Sequence, residues 1–169
     1  MAKDAGKIFE EEVRASIPLS FFVERYKDDT AGFKGVANPA DYRLYKYPYT
    51  FLIECKTHKG KSLPLSKIRN SQLKEMRKAN PYNGVYCGFL INYRDLEETY
   101  YITSDDLVNE YYILQVVNGK LEYTIKPEVR KSIPVEWCRE HGVKIGQTKK
   151  RVRYSYDLSS WLGGYYEQM

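Results

Sequence analysis

The sequence predicts an α/β fold in which a central sheet is flanked by helices. Over residues 5–17, apolar side chains recur every four positions, which is typical of an amphipathic helix, and Pro18 ends the pattern. Residues 51–56 form an apolar run that begins with an aromatic side chain, which is the composition of a strand. A second helical pattern occupies about 65–78. Helical segments on both sides of strand segments favour a layered α/β architecture.

The remaining elements are predicted in order along the chain. In the first part of the chain, we expect a strand at 20–26, a flexible loop at 27–38, a strand at 41–45 that turns into 51–56, and a Lys- and Gly-rich loop at 57–63. After the second helix, we expect strands at 85–92 and 98–103 and a short helix at 105–111. The last elements are a hairpin over 114–128 that turns at Asn118-Gly119, a helix at 134–141 and a strand at 151–156. With 169 residues and no repeat or linker, the chain is predicted to form one domain over 1–169.

The composition excludes several classes of protein. No run is apolar enough to cross a membrane and no signal peptide is evident, so we expect a soluble, cytoplasmic protein without membrane partners. The three cysteines, Cys55, Cys87 and Cys138, are odd in number and lack metal-ligand spacing. This pattern indicates free thiols in a reducing compartment and argues against a zinc site.

The strand at 51–56 carries charge where folding gains nothing from it. Side chains alternate between the two faces of a strand, so Glu54 and Lys56 share one face with Leu52, while the opposite face is apolar. Burying either charge alone is costly. The pair therefore indicates a functional role, and the alternative is a solvent-exposed Glu/Lys pair on the sheet surface.

Asp41 lies thirteen positions before Glu54, at the start of the predicted partner strand. A hairpin of this length brings the two carboxylates to the same end of adjacent strands. Close carboxylates repel each other unless a cation lies between them. Oxygen ligands favour a hard ion such as Mg²⁺, for which Mn²⁺ can substitute. The alternative is a turn aspartate unrelated to Glu54.

Polar side chains on the two predicted helices face the sheet. On the first helix, Glu10 lies nearer to the apolar stripe than Glu11 or Glu12, which we expect at the surface. On the second helix, Gln72 falls within the apolar stripe and needs a hydrogen-bonding partner. That partner is either a backbone carbonyl or a group in an active site.

Positive charge is concentrated after the strand at 51–56. The whole chain carries +5, whereas 56–78 alone carry +7, because eight Lys or Arg are countered only by Glu75. A basic patch beside carboxylates suits the phosphate backbone of nucleic acid, and the alternative is a solvated helix surface. The side chains predicted to contact nucleic acid are Lys59, Lys61, Lys67, Arg69, Lys149, Lys150 and Arg151.

These motifs together resemble a known group of nucleases. A Pro-x-Asp, the hairpin spacing and a Glu-x-Lys at the end of an apolar strand resemble the PD-(D/E)xK nuclease superfamily. A closer resemblance is to the RecU family of Holliday junction resolvases. It is carried, in order, by 6–10, Asp41-Tyr42, 51–56, 61–65, Ile68, Gln72 and Met76.

The resemblance implies a restriction-endonuclease-like α/β fold, with a central mixed sheet flanked by helices, in a single nuclease domain. It also implies a homodimeric, Mg²⁺-dependent endonuclease that resolves four-way DNA junctions by paired symmetric nicks, without a small-molecule cofactor. The site residues it implies are the catalytic set Asp41, Glu54 and Lys56, the accessory members Glu10 and Gln72, and the Cys55 carbonyl as a further metal ligand beside Asp41 and Glu54.

The sequence departs from the RecU pattern at two places. Members of the family carry a long stalk inserted between their first strands, whereas only 27–38 occupy that place here, and Ala40 stands where members often have a hydroxyl residue. The short segment keeps two alternatives open. One is a related nuclease that acts on other branched or duplex DNA, and the other is a non-catalytic DNA-binding module of the same fold.

Overall fold

The computed structural model describes residues 3–26 and 38–169. The loop predicted at 27–38 lies outside the described residues, except for Asn38. The strands, in chain order, are β1 (Phe22–Arg25), β2 (Tyr42–Lys46), β3 (Tyr49–His58), β4 (Ser62–Pro64), β5 (Val85–Tyr93), β6 (Glu98–Thr103), β7 (Tyr112–Val117), β8 (Lys120–Ile125), β9 (Ser132–Pro134), β10 (Val143–Ile145), β11 (Gln147–Lys150) and β12 (Arg153–Tyr156). The α-helices are α1 (Ala5–Ser16), α2 (Asn70–Ala79), α3 (Ser104–Tyr111), α4 (Val135–His141) and α5 (Leu158–Tyr166).

The central sheet has six strands in the order β1-β2-β3-β5-β6-β10. Strands β3 and β5 run parallel, whereas the other neighbours in this sheet pair antiparallel, so the sheet is mixed. The other strands form three two-stranded sheets, β4 with β9, β7 with β8 and β11 with β12. The predicted α/β architecture, a central mixed sheet flanked by helices, is therefore confirmed.

Strand β3 divides the core into two halves. Leu52 packs with apolar residues of α2, α3 and α4 on one face of the sheet. Phe51 and Ile53 pack with apolar residues of α1 and α5 on the other face. Phe51 is fully buried, and burial of such a side chain stabilises the fold by roughly 3 kcal/mol. This alternation confirms the two faces predicted for the strand and places Glu54 and Lys56 on the α2 side.

The second helix begins later than predicted. Leu65–Lys67 form a short 3-10 turn, Ile68 is extended, and the α-helix starts at Asn70. The cause is a distant pairing that helical periodicity cannot show, because β4 pairs with β9 and the amide of Leu65 donates to the carbonyl of Lys131. The prediction of a continuous helix over 65–78 was therefore wrong in its first turn.

The C-terminal part contains elements that the sequence did not reveal. These are β9, β10, β11 and α5, which are short, and α5 contains a Gly-Gly pair that argues against a helix. The hairpin predicted to turn at Asn118-Gly119 is confirmed, with positive φ at both residues. Within 3–26 and 38–169, the structure has no helix with the length and apolarity needed to span a membrane.

Glu12 was predicted at the surface, and this prediction is wrong. Its side chain is buried and accepts hydrogen bonds from the amide of Tyr154 at 3.1 Å and from the hydroxyl of Tyr156 at 3.3 Å. Strand β12, which supplies both donors, was predicted only as part of an isolated strand. The helical pattern places Glu12 nearer to the apolar stripe than Glu11 but still outside it, and only the packing of β12 against α1 buries its side chain.

Candidate active site

The β2–β3 hairpin places Asp41 beside the end of β3. Tyr42 lies opposite Ile53 in the antiparallel register, and the amide of Asp41 donates to the carbonyl of Ile53 at 3.1 Å. The carboxylate of Asp41 then accepts a hydrogen bond of 2.7 Å from the amide of Cys55. The predicted hairpin is confirmed, and it brings Asp41 next to the strand segment that carries Glu54.

Glu54 is a buried carboxylate, with 5% of its surface exposed. Its Oε1 atom lies 2.9 Å from Nζ of Lys56 and accepts a hydrogen bond of 2.6 Å from Nε2 of Gln72. Such partners offset the cost of burying a charge. The alternative of a solvent-exposed Glu/Lys pair is therefore wrong.

Gln72 uses both ends of its side-chain amide. Its Nε2 atom donates to Glu54, and its Oε1 atom accepts from the amide of Arg69 at 3.2 Å, which caps the start of α2. The amide nitrogen is thus directed at a carboxylate rather than at a backbone carbonyl. Because the predicted helix began too early, the position of Gln72 in the first turn of α2 could not be predicted.

The electrostatics of the site centre on Asp41. Burial, followed by the negative charges of Glu54 and Glu10, raises the pKa of Asp41 to about 8. The amide of Cys55 and the charge of Lys56 act in the opposite direction without cancelling this effect. A carboxyl group in this setting holds a proton at neutral pH unless a cation comes close to it.

Glu10 and the backbone of α1 complete this side of the site. The carboxylate of Glu10 lies 3.4 Å from a guanidinium nitrogen of Arg25, and its backbone carbonyl accepts a hydrogen bond from the hydroxyl of Tyr42 at 3.0 Å. The inward orientation predicted for Glu10 agrees with this position, because its charge reaches Asp41.

One cleft of about 440 Å³, which we call the acidic cleft, is lined by Asp41, Glu54, Lys56, Gln72 and Glu10. The residues that line it are Asp4, Lys7, Glu10, Tyr26, Asn38, Ala40, Asp41, Glu54, Cys55, Lys56, Arg69, Ser71 and Gln72. Lys7 and Ser71 were not identified from the sequence. The position of Lys7, one helical turn before Glu10, is a signal that could have found it.

The chemistry of the acidic cleft fits Mg²⁺ or Mn²⁺ better than a metal that requires a full set of protein ligands. Within the described residues, no group of three or more His, Cys, Asp or Glu side chains is arranged to hold a metal ion. Mg²⁺ is usually held by one or two carboxylates and completes its shell with water and substrate phosphates. Asp41 and Glu54 offer two such carboxylates, and burial together with the charges of Glu54 and Glu10 raises the pKa of Asp41, which a bound cation would lower.

The predicted nucleic-acid contacts fall in three places. Arg69 lines the acidic cleft. Lys59, Lys61 and Lys67 are exposed on the segment between β3 and α2, outside the lining of the cleft. A third group, Lys149, Lys150 and Arg151, is exposed on the β11–β12 hairpin, which packs against another side of α1. The structure therefore separates this last group from the acidic cleft.

Comparison with known proteins gives one family match. The family model described as Recombination protein U, RecU, matches residues 30–158, which are most of the chain. A similar protein over nearly the whole chain is the SPbeta prophage-derived uncharacterized protein YotM of Bacillus subtilis strain 168. It is 31% identical over 172 residues, which are 96% of this chain and 87% of that protein.

Named resolvases match over shorter stretches. The Holliday junction resolvase RecU of Lactococcus lactis subsp. cremoris strain SK11 is 32% identical over 64% of this chain and 45% of its own length. That of Streptococcus thermophilus strain ATCC BAA-491 / LMD-9 is 26% identical over 76% of this chain and 59% of its own length. The chain thus spans about half the length of these resolvases.

Among solved structures, Archaeoglobus fulgidus Hjc, a Holliday junction resolvase from an archaeal hyperthermophile, aligns with a TM-score of 0.43 at 13% identity. The alignment covers 77% of this chain and 96% of Hjc.

Proposed function

Because this chain belongs to the RecU family, we propose that it is a Mg²⁺-dependent endonuclease that resolves four-way DNA junctions by paired nicks, in recombination and repair. The observation that carries the proposal is the buried Glu54, which is held by Lys56 and Gln72. It lies beside Asp41, whose pKa is raised. Perturbed carboxyl groups in a cleft are typical of catalytic sites. A non-catalytic DNA-binding module would have no need for this costly arrangement.

In the proposed mechanism, Asp41 and Glu54 would hold the metal. When bound, Mg²⁺ would polarise the scissile phosphate and activate a water molecule. Gln72 and Lys56 fix Oε1 of Glu54, which leaves Oε2 of the same carboxylate for the metal. Lys56 orients the attacking water and offsets the charge that grows on the phosphoryl oxygens. The roles of Glu10 as an outer support of the site and of the Cys55 carbonyl as a further ligand belong to the same proposal.

The remaining parts of the proposal concern the DNA and the assembly. Arg69 and Lys7 bring positive charge to the acidic cleft, and Lys59, Lys61 and Lys67 extend it along the exposed surface. Contacts of this kind position a phosphate backbone without reading its sequence. A four-way junction offers two equivalent strands, and a two-fold homodimer presents two sites at a fixed spacing.

A second candidate function is cleavage of other branched or duplex DNA. The short segment at 27–38 favours it, since the RecU stalk that contributes to junction binding is expected in that place.

One experiment separates these functions. The protein is incubated with an end-labelled four-way junction, a replication fork and a linear duplex, each in Mg²⁺ and in EDTA, with the variant Glu54→Gln as the inactive control. Junction resolution by symmetric nicks that requires Mg²⁺ supports the proposal. Equal cutting of the fork supports the second candidate, and binding without any cutting supports the DNA-binding module.

The assembly is tested by sedimentation velocity at micromolar protein concentration, with and without the junction. A dimer is expected in both cases. A protein that stays monomeric on the junction would contradict the paired-nick mechanism and favour the second candidate.

A further inference from the structure

A second cleft, of about 340 Å³, lies on another side of α1. Ile8 and Phe9 of α1 form one wall, whereas Lys7 and Glu10 of the same helix line the acidic cleft. Thr57, which follows Lys56 directly in β3, lines the second cleft as well. We call it the tyrosine cleft, after Tyr154 and Tyr156 of β12 in its lining. The two clefts therefore share a helix, and consecutive residues at the end of β3, Lys56 and Thr57, line one cleft each.

A row of neutral polar side chains runs across strands β3, β5, β6 and β11 at this cleft. The hydroxyl of Thr57 donates to Oδ1 of Asn92 at 2.9 Å, and Nδ2 of Asn92 donates to the hydroxyl of Thr99 at 2.9 Å. The hydroxyl of Thr99 donates to Oε1 of Gln147 at 2.7 Å. Asn92 and Thr99 are buried in a sheet where apolar side chains would stabilise the fold more.

The row ends in a hydrogen-bond donor at the cleft. Because the Oε1 atom of Gln147 accepts from Thr99, its amide nitrogen is left as a donor group, and it has no acceptor among the residues that the structure describes. Thr57 at the other end keeps acceptor capacity on its hydroxyl oxygen. The floor of the cleft thus offers both a donor and an acceptor to a planar polar ligand.

The walls are aromatic and rigidly held. Phe9 packs edge-on against Tyr156 with a centroid distance of 5.4 Å, and the ring of Tyr154 lies beside that of Tyr156. Glu12 fixes these tyrosines by accepting from the amide of Tyr154 and the hydroxyl of Tyr156. These two hydrogen bonds explain why Glu12 is buried rather than at the surface, where it was predicted. They also give the cleft a preformed shape.

The rim carries positive charge. The β11–β12 hairpin over the cleft contains Lys149, Lys150, Arg151 and Arg153 and no acidic residue between Gln147 and Tyr156. At its turn, Val152 lines the cleft and exposes 84% of its surface. Arg94 lines the cleft from the sheet side. Basic side chains around an aromatic-walled cleft are the combination that binds the phosphates and bases of single strands.

We propose that the tyrosine cleft binds one unpaired nucleobase of the DNA strand whose phosphate lies in the acidic cleft. The base is recognised by the amide of Gln147 and the hydroxyl of Thr57 and packs against Tyr154, while the basic hairpin holds the flanking phosphate. This inference rests on the proposed function, which supplies DNA as the ligand and the acidic cleft as the place of its phosphate. The size of the cleft is at the lower end for small-ligand sites and suits a single base.

The test measures binding rather than cleavage. Short single-stranded oligonucleotides, each with one 2-aminopurine, are titrated with the full-length protein in EDTA, and base binding is detected as a change in fluorescence. The test variant is Gln147→Ala. Its matched control is Gln115→Ala, because Gln115 also lies on a hairpin strand and its Oε1 atom also accepts from a threonine hydroxyl.

We expect Gln147→Ala to weaken binding about tenfold, within the range for loss of a base contact, and Gln115→Ala to leave it unchanged. Equal binding by both variants would overturn the inference. A second variant, Ile8→Phe, fills the cleft without removing a polar group, and its thermal unfolding shows whether it folds. Ile8→Phe that folds normally and binds like the wild type would also overturn the inference.

Two further measurements identify the source of the base and separate this inference from the nuclease proposal. Deoxynucleoside monophosphates are used as competitors, and competition as strong as that of the oligonucleotide would overturn the assignment to a DNA strand. Fluorescence binding that persists without junction cleavage would contradict only the nuclease proposal. If the protein cleaves the junction but Gln147→Ala binds the oligonucleotides like the wild type, only the proposal for the tyrosine cleft is contradicted.

Discussion

The acidic cleft and the tyrosine cleft share helix α1 and the end of β3, but they solve the problem of buried polarity in opposite ways. In the acidic cleft, Asp41 and Glu54 bring like charges together, and the pKa of Asp41 is raised to about 8. In the tyrosine cleft, the groups from Thr57 to Gln147 are neutral and satisfy one another in a row. Two buried carboxylates that face each other favour a cation as their ligand, whereas a neutral row that ends in a donor favours a hydrogen-bonding ligand.

The largest difference between the two clefts should follow from replacing the carboxylate of Glu54 by an amide. We expect Glu54→Gln to reduce DNA cleavage by about a thousandfold or more, since it removes a proposed metal ligand and the partner of Lys56. DNA binding in EDTA should stay within about twofold, because the basic surface is unchanged. The measurement is single-turnover cleavage of a labelled junction, together with its binding by fluorescence anisotropy.

The matched control for this prediction is Glu122→Gln. Glu122 also pairs with a lysine, Lys74, at 2.8 Å, but it lies on the β7–β8 hairpin outside both clefts. Its cleavage rate should equal that of the wild type. If Glu54→Gln cleaves as fast as Glu122→Gln, the acidic cleft is not the catalytic site.

A smaller effect is expected from Gln72, which positions Glu54 without binding the metal. We expect Gln72→Ala to lower cleavage by about 10- to 100-fold and to raise the Mg²⁺ concentration needed for half-maximal rate, as for other supports of a metal ligand. A purely structural role at the start of α2 would lower thermal stability without moving the Mg²⁺ midpoint. If the cleavage rate of Gln72→Ala does not respond to higher Mg²⁺ concentration, Gln72 does not position Glu54 for the metal.

The salt dependence of binding compares the basic surfaces of the two clefts. Replacing Lys59, Lys61 and Lys67 by Gln should reduce the slope of log K against log salt by up to about 3, since each lost phosphate contact removes about 0.9. Replacing Lys149, Lys150 and Arg151 by Gln is the matched triple at the tyrosine cleft. On the four-way junction, anisotropy titrations between low and moderate salt measure both slopes, and two unchanged slopes would mean that neither surface contacts phosphate.

The smallest expected effect concerns the pH dependence of stability. Asp41 has a pKa of about 8 in the folded protein and about 4 in the unfolded chain, so the folded state holds a proton that the unfolded chain releases. Its contribution to stability is fully present below pH 4 and is lost as the pH rises to 8. In EDTA, the melting temperature of the wild type should fall over this window relative to that of Asp41→Asn.

The control for the pH measurement is Asp95→Asn, because Asp95 is an exposed carboxyl outside both clefts. Its melting curve should follow the wild type at each pH. Addition of Mg²⁺ at pH 8 should restore the melting temperature of the wild type but not that of Asp41→Asn, since a ligand that binds only the folded state stabilises it.

The acidic cleft could largely be predicted from the sequence, because its determinants are local. The hairpin between Asp41 and Glu54 and the alternation of β3 follow from spacing and period, and the structure has both. The start of α2 could not be predicted in the same way, because it depends on the pairing of β4 with β9, about seventy residues away. For the same reason, the position of Gln72 in the first turn of α2 could not be predicted.

The tyrosine cleft was missed because its residues come from segments far apart in the chain. Thr57, Asn92 and Thr99 meet through the order of strands in the central sheet, and Gln147 joins them because β11 lies beside Thr99 of β6. In the sequence, each of them is an ordinary polar residue near the end of a strand. The burial of Glu12 was hidden for the same reason, since its partners lie more than 140 positions away.

The pairing of β4 with β9 also has a consequence for the order in which the protein can assemble on the ribosome. Ser62 bonds to Ser132 at 2.6 Å, and the amide of Val135 donates to the carbonyl of Lys61, so the segment that leads into α2 is fixed by residues near the end of the chain. Synthesis proceeds from the N-terminus at about 5–20 residues per second. A nascent chain that already contains Asp41, Glu54 and Lys56 still lacks the strand that anchors this segment, so the proposed nuclease activity should appear only after β9, Ser132–Pro134, has been made.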